Sequence, residues 1–294
     1  MSPDSRTPAS HTVEIDGRKV KLTNLHKVLY PEAGFTKGEI LDYYARVAPV
    51  MLPHLADRAA TLIRYPDGVD AEGFFAKHAP PHRPDWVRTA SVAASSSGKH
   101  IEYVLIDDLS SLIWAANLAA IEFHVPQWHV SDAAHHDLLV LDLDPGAPAT
   151  ILDCVRVAFA ARELLATHGM ELRAKTSGGK GLHLYAPLDG VTAEQARELA
   201  HTIALGMEAQ LPDLVVSNMA KRERPGKVFM DWSQNTHAKT TVAPYSLRAR
   251  PRPTVSTPVT WEQLAAARRP EDLSFSPTEA LEQIERHGDL LSGL

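Results

Sequence analysis

Apolar positions along the chain follow two periods, and the switches between them mark the elements. After Thr36, the residues Ile40, Tyr43, Tyr44, Val47 and Met51 recur at helical spacing, which predicts a helix that packs one face inward and stops near Pro53. The pattern S/T-x-x-E/Q, in which side chains and backbone amides satisfy each other across a first helical turn, occurs at Thr36 with Glu39, Thr192 with Gln195, Thr260 with Gln263 and Ser276 with Glu279. Four helices thereby gain defined starts, and Pro277 at a first helical position supports the last.

The middle of the chain changes period repeatedly. DLLVLDLDPG (137–146) reads as a strand ending in a turn, followed by a helix over about 150–168 that closes at Gly169. A short strand near 171–176, the turn SGGKG, the strand LHLYAPL, a capped helix over about 193–209 and strands at 214–217 and 227–232 follow. The succession β-α-β-β-α-β is the split βαβ, or ferredoxin-like, unit. In its usual strand order the first strand lies between the third and the fourth, which makes neighbours of the strands carrying Asp142 and Asp144, His183 and Asp231. SSSGK (95–99) reads as an exposed loop between strands, and RARPRPTVSTPVT (248–260) as an extended connection to a C-terminal helical segment.

Composition adds bounds. A chain of 294 residues, 44% hydrophobic and 22% charged, is an ordinary globular protein of one large domain or two small ones. Cys154 is the only cysteine, which excludes an internal disulfide and a Cys-rich zinc site and points to a reducing compartment. No apolar run approaches the roughly 20 residues of a membrane span, and MSPDSRTPASHT lacks the plan of a signal peptide. The expectation is a soluble cytoplasmic protein without a membrane partner, with residues 1–12 disordered. The formal charge of −6 argues, as an average, against a nucleic-acid binder. The average hides a sorting: residues 221–252 hold eight basic and two acidic side chains, a local +6 that leaves −12 on the rest.

Three segments concentrate chemistry. Asp142 and Asp144 are two apart on a strand, so both carboxylates leave one face while Leu141 and Leu143 leave the other. Asp144 alone could simply open the Asp-Pro-Gly turn, but Asp142 in a run of Leu and Val is costly to bury without a partner. SGGKGLHLYAPL (177–188) has glycines that let backbone amides converge on an anion, donors at Ser177 and Lys180, and His183 and Tyr185 on one strand face. A glycine-rich hairpin with a solvated lysine fits it too, and it matches neither a Walker loop nor a dinucleotide fingerprint. In KVFMDWSQN (227–235), Asp231 is a third acid in an apolar strand, open also to a role capping a turn. Three such acids suggest two divalent cations flanking a phosphoryl displacement. Lys180, Arg248 and Lys239, with Arg64 and Lys77 further off, are candidates to offset the remaining negative charge of a triphosphate. Phe74 and Phe75 form an adjacent pair that one face cannot bury together, leaving a ring for base stacking or one ring in and one out. Lys37, behind the Thr36 cap and near Asn24 and Lys27, lies where free helix amides favour a phosphate, or is an ordinary surface lysine.

In this order, LTNLHKVLYPEAGFTKGEILDYY, FFAKH, HVPQW, LDLDPG, SGGKGLHLYAPL, KVFMDWSQN and KTTVAPYSLRAR resemble the primase-polymerase domain of bacterial ligase D and its stand-alone relatives, within the archaeo-eukaryotic primase superfamily. The resemblance runs from about Val20 to Leu291. It implies an α+β fold, with a primase-polymerase core on a ferredoxin-like (RRM-like) βαββαβ unit and an N-terminal α/β module packed against it. Residues 13–294 would form a single domain: N-terminal module 13–130, catalytic core 131–250, C-terminal helical segment 251–294. Asp142, Asp144 and Asp231 would hold two Mn2+ or Mg2+ ions, and Ser177, Lys180, His183 and Arg248 a nucleoside triphosphate, with His124, Arg64 and Lys77 as further active-site residues. Phe74 and Phe75 would stack on a template strand, and Asn24, Lys27 and Lys37 would take the 5′-phosphate beyond a gap. His26 stands where an acidic residue is expected, and the link from HVPQW to LDLDPG is shorter than in many ligase D proteins. The implied activity is template-dependent nucleotidyl transfer that extends primers and fills short gaps at DNA breaks with ribo- or deoxyribonucleoside triphosphates in nonhomologous end joining. A Ku-like end-binding protein and a DNA ligase would be partners, at the bacterial nucleoid. Two rivals use the same residues differently: a two-metal phosphodiesterase or nuclease, and a non-catalytic DNA-end bridging module.

Overall fold

The structure, a computed structural model, describes residues 10–93 and 99–294. The chain opens on a hairpin of β1 (Ser10–Ile15) and β2 (Arg18–Thr23), whose two-residue turn uses Asp16 and Gly17, both at positive φ as the tight hairpin turn requires. A second hairpin, β3 (Val28–Tyr30) and β4 (Phe35–Thr36), leads into α1 (Lys37–Leu55). Next come β5 (Thr61–Arg64), β6 (Phe74–Ala76), the hairpin β7 (Thr89–Ala93) with β8 (His100–Val104), α2 (Leu109–Asn117) and β9 (Ala120–Val125). The chain continues with β10 (His135–Pro145), α3 (Ile151–Ala166), β11 (Arg173–Thr176), β12 (Leu182–Thr192), α4 (Ala193–Gln210), β13 (Val215–Val216) and β14 (Val228–Asp231). The chain ends with four two-residue strands, β15 (Thr241–Val242), β16 (Leu247–Arg248), β17 (Thr254–Val255) and β18 (Pro258–Val259), then α5 (Trp261–Ala266) and α6 (Pro277–His287).

The larger sheet has the order β13-β14-β10-β12-β11-β18. Its inner four strands are the ferredoxin-like unit in the expected order, with the first strand, β10, between β12 and β14 and antiparallel to both. One face buries Leu139, Leu141, Leu143, Leu182, Leu184 and Met230 against Cys154, Val157 and Ala161 of α3 and Ala200 and Ala204 of α4. Alternation then sends Asp142, Asp144, His183 and Tyr185 to the other face. The mixed helix and sheet content is the α+β class.

All four expected capping boxes are formed. α1 continues past the expected stop at Pro53: burial of Leu55 and a bond from the Ala56 N–H to the Leu52 carbonyl hold its last turn despite the missing proline donor. Of the segment expected to be disordered, residues 10–12 pair with 21–23, because the turn at Asp16 and Gly17 sets the register of the whole hairpin; residues 1–9, and 95–98 of the expected exposed loop, lie outside the described residues. The extended connection expected at 248–260 is β16 paired with β17, followed by β18 added to β11. The N-terminal module is also not confined to 13–130. Its sheet, β15-β9-β5-β6, borrows β15 from beyond β14, and its core takes Ala243, Tyr245, Leu247, Val255, Ala280 and Leu281. The chain therefore returns to the first module after building the catalytic sheet, locking the two together.

β14 covers β10 only from Asp142 to Pro145, and Asn235 completes that edge. Fully buried, it accepts from the Val140 N–H (2.9 Å) and donates to the Val140 carbonyl (2.8 Å), standing in for a strand neighbour. Asn235→Ala leaves two buried backbone groups unpaired and is expected to lower unfolding free energy by roughly 2–4 kcal/mol, measured by urea denaturation; a change under about 0.5 kcal/mol would reject this role.

Candidate active site

Strand register lines up a row across the catalytic sheet. Lys175 on β11 pairs with His183 on β12, His183 with Asp142 on β10, and Asp142 with Asp231 on β14. The carboxylate Oδ1 of Asp142 is 3.3 Å from His183 Nε2, while Oδ2 accepts from the Gln234 amide at 3.2 Å. The same amide reaches Asp231 at 3.2 Å, so Gln234 bridges the two acids. Asp231 also accepts from the Ser233 N–H (3.0 Å), capping the short helical turn Trp232–Asn235, and lies 3.6 Å from Lys239 Nζ. Asp231 thus caps a turn while standing in register beside Asp142.

Burial, reinforced by Asp144 and Asp231, pushes the Asp142 carboxyl far above the usual carboxylate range. Asp144 is raised too, by burial first, with Lys180 acting against it. Burial holds His183 well below the usual imidazole range, helped by the charges of Lys175 and Arg248. Like charges directly opposite one another on paired strands are unfavourable. A hard divalent cation relieves that repulsion, and the all-oxygen donor set fits one. Among the described residues no three His, Cys, Asp or Glu side chains converge as a ready-made cage. Mg2+-type sites commonly use one or two carboxylates and leave other positions to phosphate oxygens and water, which suits acids along one wall of an open cavity.

That cavity has a volume of about 220 Å³. Asp142, Asp144, His183 and Gln234 line one side, and Ser177, Lys180, Arg248, Arg250 and His124 the rest, with Thr240 and Thr241. The glycine-rich turn is closed on itself: Ser177 Oγ accepts from the N–H groups of Gly179 (3.2 Å) and Gly181 (3.1 Å). Two of the amides expected to be free for an anion are thus taken by a short hydroxyl side chain, while the hydroxyl proton and the lysine add donors of their own. Gly181 is needed for close approach, since a Cβ there would lie 2.5 Å from the Leu143 carbonyl oxygen. Lys180 Nζ donates to the Pro145 carbonyl at 3.0 Å, beside Asp144. Arg248 donates to the Ser177 carbonyl at 2.5 Å, tying the turn to β16.

Arg64 and Lys77 do not reach this cavity. Arg64 lies over the Phe74 ring, 5.2 Å away, because β5 and β6 pair Arg64 with Phe74, and it donates to the Leu118 carbonyl at 2.8 Å. Lys77 lines a neighbouring cavity of about 230 Å³ with Tyr103, Trp128 and His237, which meets the first at Thr240.

Arg64 belongs instead with the N-terminal lysines. Lys37 is buried and donates to the Thr23 carbonyl at 2.6 Å; burial, then the charges of Lys27 and Arg64, lower its amine to about 8. Lys27 is exposed and pairs with Asp67 at 2.9 Å, and Asn24, at positive φ, makes the turn that presents it. The helix amides expected to be free are occupied: Lys37 N–H donates to the Lys27 carbonyl, Gly38 to Leu25 and Glu39 to the Thr36 hydroxyl. An anion here would meet side chains rather than a helix end. Phe74 and Phe75 are 45% and 67% exposed, so neither ring turns inward.

Glu122, Gln234, Arg250 and Lys175 are the site residues that sequence reasoning missed. Gln234 lies within a string already singled out, three residues after Asp231, where a single helical turn brings i and i+3 to one side; Glu122 is two residues before His124 on β9, where alternation puts both on one face.

Opposed carboxylates beside groups suited to phosphate, on a ferredoxin-like sheet, have the layout of a metal-dependent phosphoryl-transfer site. Comparison with known proteins narrows the class. The family described as LigD, primase-polymerase domain matches residues 36–291, and this chain belongs to that family. It is 47% identical over 286 residues to the multifunctional non-homologous end joining DNA repair protein LigD of Mycobacterium tuberculosis, covering 94% of this chain and 37% of that protein. The bifunctional LigD of Bacillus subtilis is 32% identical over 272 residues, 92% of this chain and 43% of that one. The chain thus spans less than half the length of these curated relatives. The solved polymerase domain from Mycobacterium tuberculosis ligase D in complex with DNA matches with a TM-score of 0.87 at 46% identity, covering 92% of this chain and 96% of that one. Among the described residues no helix is long and apolar enough to cross a membrane.

A carboxyl whose pKa is raised by folding favours the folded state when protonated, so its ionisation costs stability as pH rises through the folded-state value. Asp142→Asn is therefore expected to raise the melting temperature of the metal-free protein at pH 8 by a few degrees, and to erase most of the rise that Mn2+ gives the parent. Calorimetry with chelator and with Mn2+ reads both; a lower metal-free melting temperature in the variant would refute the crowding argument.

Proposed function

We propose that this chain is a template-dependent nucleotidyltransferase that extends primers and fills short gaps at DNA breaks with nucleoside triphosphates, in end joining on the bacterial chromosome. The observation that carries the reading is that Asp142, Asp144 and the Ser177–Gly181 turn with Lys180 and Arg248 face one cavity, with Asp231 in register beside Asp142. Asp142, Asp144 and Asp231 would hold two Mg2+ or Mn2+ ions, which when bound acidify a primer 3′-hydroxyl and neutralise triphosphate charge. Lys180 and Arg248, with Arg250 and Lys239 nearby, supply fixed positive charge for a polyphosphate, and Ser177 a hydroxyl donor; no reorganisation is needed for these to act. Gln234 keeps the two opposed acids at fixed separation, and His183 keeps Asp142 oriented. None of this calls for a covalent intermediate, and positioning supplies most of the rate.

The exposed rings of Phe74 and Phe75 suit an unpaired template base, with Arg64 fixed against Phe74. Lys27, Lys37 and Arg64, on and beside the turn made by Asn24, form a cation cluster whose mutual repulsion a 5′-phosphate would relieve. His124 lines the nucleotide cavity and Lys77 the neighbouring one that meets it at Thr240, and they would act on nucleotide and DNA respectively from there. A Ku-like end-binding protein and a DNA ligase are the partners this activity calls for. A nuclease built on the same acids would shorten a labelled primer where a polymerase lengthens it, and a bridging module would do neither.

Asp142→Ala and Asp231→Ala are each expected to lower gap-filling extension at least about a thousandfold while binding gapped duplex nearly as the parent does; extension within tenfold of the parent by either would overturn the assignment. The double variant Lys27→Ala with Lys37→Ala should bind phosphorylated and unphosphorylated gaps alike. In the parent, preference for the 5′-phosphate should fall as pH rises through about 8, where the Lys37 amine loses its proton. Fluorescence anisotropy between pH 6.5 and 9.5 follows the ratio, and a preference that grows with pH would contradict the pocket.

A further inference from the structure

Glu122 is an acid with no place among the metal-facing carboxylates. It sits on β9, in the other sheet from Asp142, Asp144 and Asp231, and only 5% of it is exposed. A carboxylate that deep is costly unless it is paired and hydrogen-bonded. Its Oε1 accepts from the Ala249 N–H at 2.9 Å, and its Oε2 lies 2.9 Å from His124 Nε2 and 3.1 Å from Arg248 Nε. The Arg248 contact is ionic rather than an in-line hydrogen bond. Burial alone would raise the Glu122 carboxyl, but the His124 bond and the Arg248 charge outweigh it and hold it down at about 2. Tyr30 and Tyr44 stand around it, and the Tyr30 hydroxyl donates to the Arg248 carbonyl at 3.0 Å.

Arg248 thus lies between two anionic demands. On one side is Glu122; on the other is Asp144, whose carboxyl also feels the guanidinium. A guanidinium free to choose would fold onto the metal-facing acid, blocking both it and the triphosphate position. Glu122 takes the Nε edge, which leaves the terminal nitrogens toward the cavity, where one already donates to the Ser177 carbonyl of the glycine-rich turn. The same carboxylate accepts from His124, so that a neutral His124 carries its proton on Nε2 and keeps Nδ1 as an acceptor.

We propose that Glu122 is a positioning residue for nucleotide binding: it holds Arg248 off the acidic centre and presents it, with His124, to the triphosphate. The inference rests on the reading of Arg248 as a triphosphate ligand. Glu122→Gln tests it, because the amide oxygen can still accept from Ala249 while the amide nitrogen, a donor, cannot hold Arg248 and can meet His124 only if the imidazole proton moves to Nδ1.

The experiment is a double-mutant cycle of Glu122→Gln and Arg248→Ala, read as KM for the nucleotide and kcat in extension on a gapped duplex. Glu122→Gln should raise KM about tenfold with kcat within about threefold, the size expected for losing a charge-assisted contact. Arg248→Ala should raise KM further, and the double variant should match Arg248→Ala within about twofold. Glu122→Asp should recover part of the lost affinity, and it carries the test by itself, with a smaller rise, if Glu122→Gln does not fold. An unchanged KM in Glu122→Gln, or a double variant whose loss is the product of the two single losses, overturns the proposal. An unchanged KM in Arg248→Ala instead overturns the triphosphate reading beneath it.

Discussion

Asp142 and Asp231 stand directly opposite each other on antiparallel neighbours, a placement that like charges disfavour, and the rest of the site exists to keep them there. What fixes them is register. Leu141, Leu143 and Met230 alternate with the acids and are fully buried against α3 and α4, so a slip of one residue would put carboxylates in the core and leucines in the cavity. Asn235 secures the uncovered edge of β10, and Gln234, one residue earlier in the same turn, spans the two acids. The apolar core thus holds in place a charge arrangement that is unfavourable until a cation offsets it.

The cations are restrained with equal care, since a mobile lysine or arginine would neutralise the acids itself. Lys180 is held by the Pro145 carbonyl, Lys239 by Ser233, and Arg248 by Glu122 and the Ser177 carbonyl. Lys175 is buried completely at the end of the row, bonded to Ser256, and burial drives its amine well below the usual lysine range. The return of the chain through β15 and β16 makes this possible, because it brings Arg248 and the Ala249 N–H to Glu122 on β9. The acidic net charge of the chain is therefore no guide to what the cavity attracts, because sign is sorted in space.

Much of this was legible in the sequence because the relevant physics is local. Capping boxes declare helix starts within four residues, and D-x-D in an apolar run declares a strand face. The boxes at Asp108 with Ser111 and Thr150 with Asp153 escaped because short side chains replace the usual Glu or Gln. Strands of two residues, such as β15 to β18, show no period at all; they exist only because long-range partners await them. The site residues divide in the same way. Ser177, Lys180 and His183 were readable from one string, whereas Glu122 meets Arg248 from 126 positions away in the chain, and the place of Arg64 over Phe74 depends on the pairing of β5 with β6.

One bound molecule must engage both the crowded carboxylates and the glycine-rich turn. Diffraction from crystals grown with Mn2+ and a non-hydrolysable nucleoside triphosphate, with anomalous data at the manganese edge, tests this directly. The predicted result is manganese signal against Asp142, Asp144 and Asp231, with the triphosphate running toward Ser177, Lys180 and Arg248. Manganese bound elsewhere, or a triphosphate seated away from the glycine-rich turn while the acids stay empty, would contradict it.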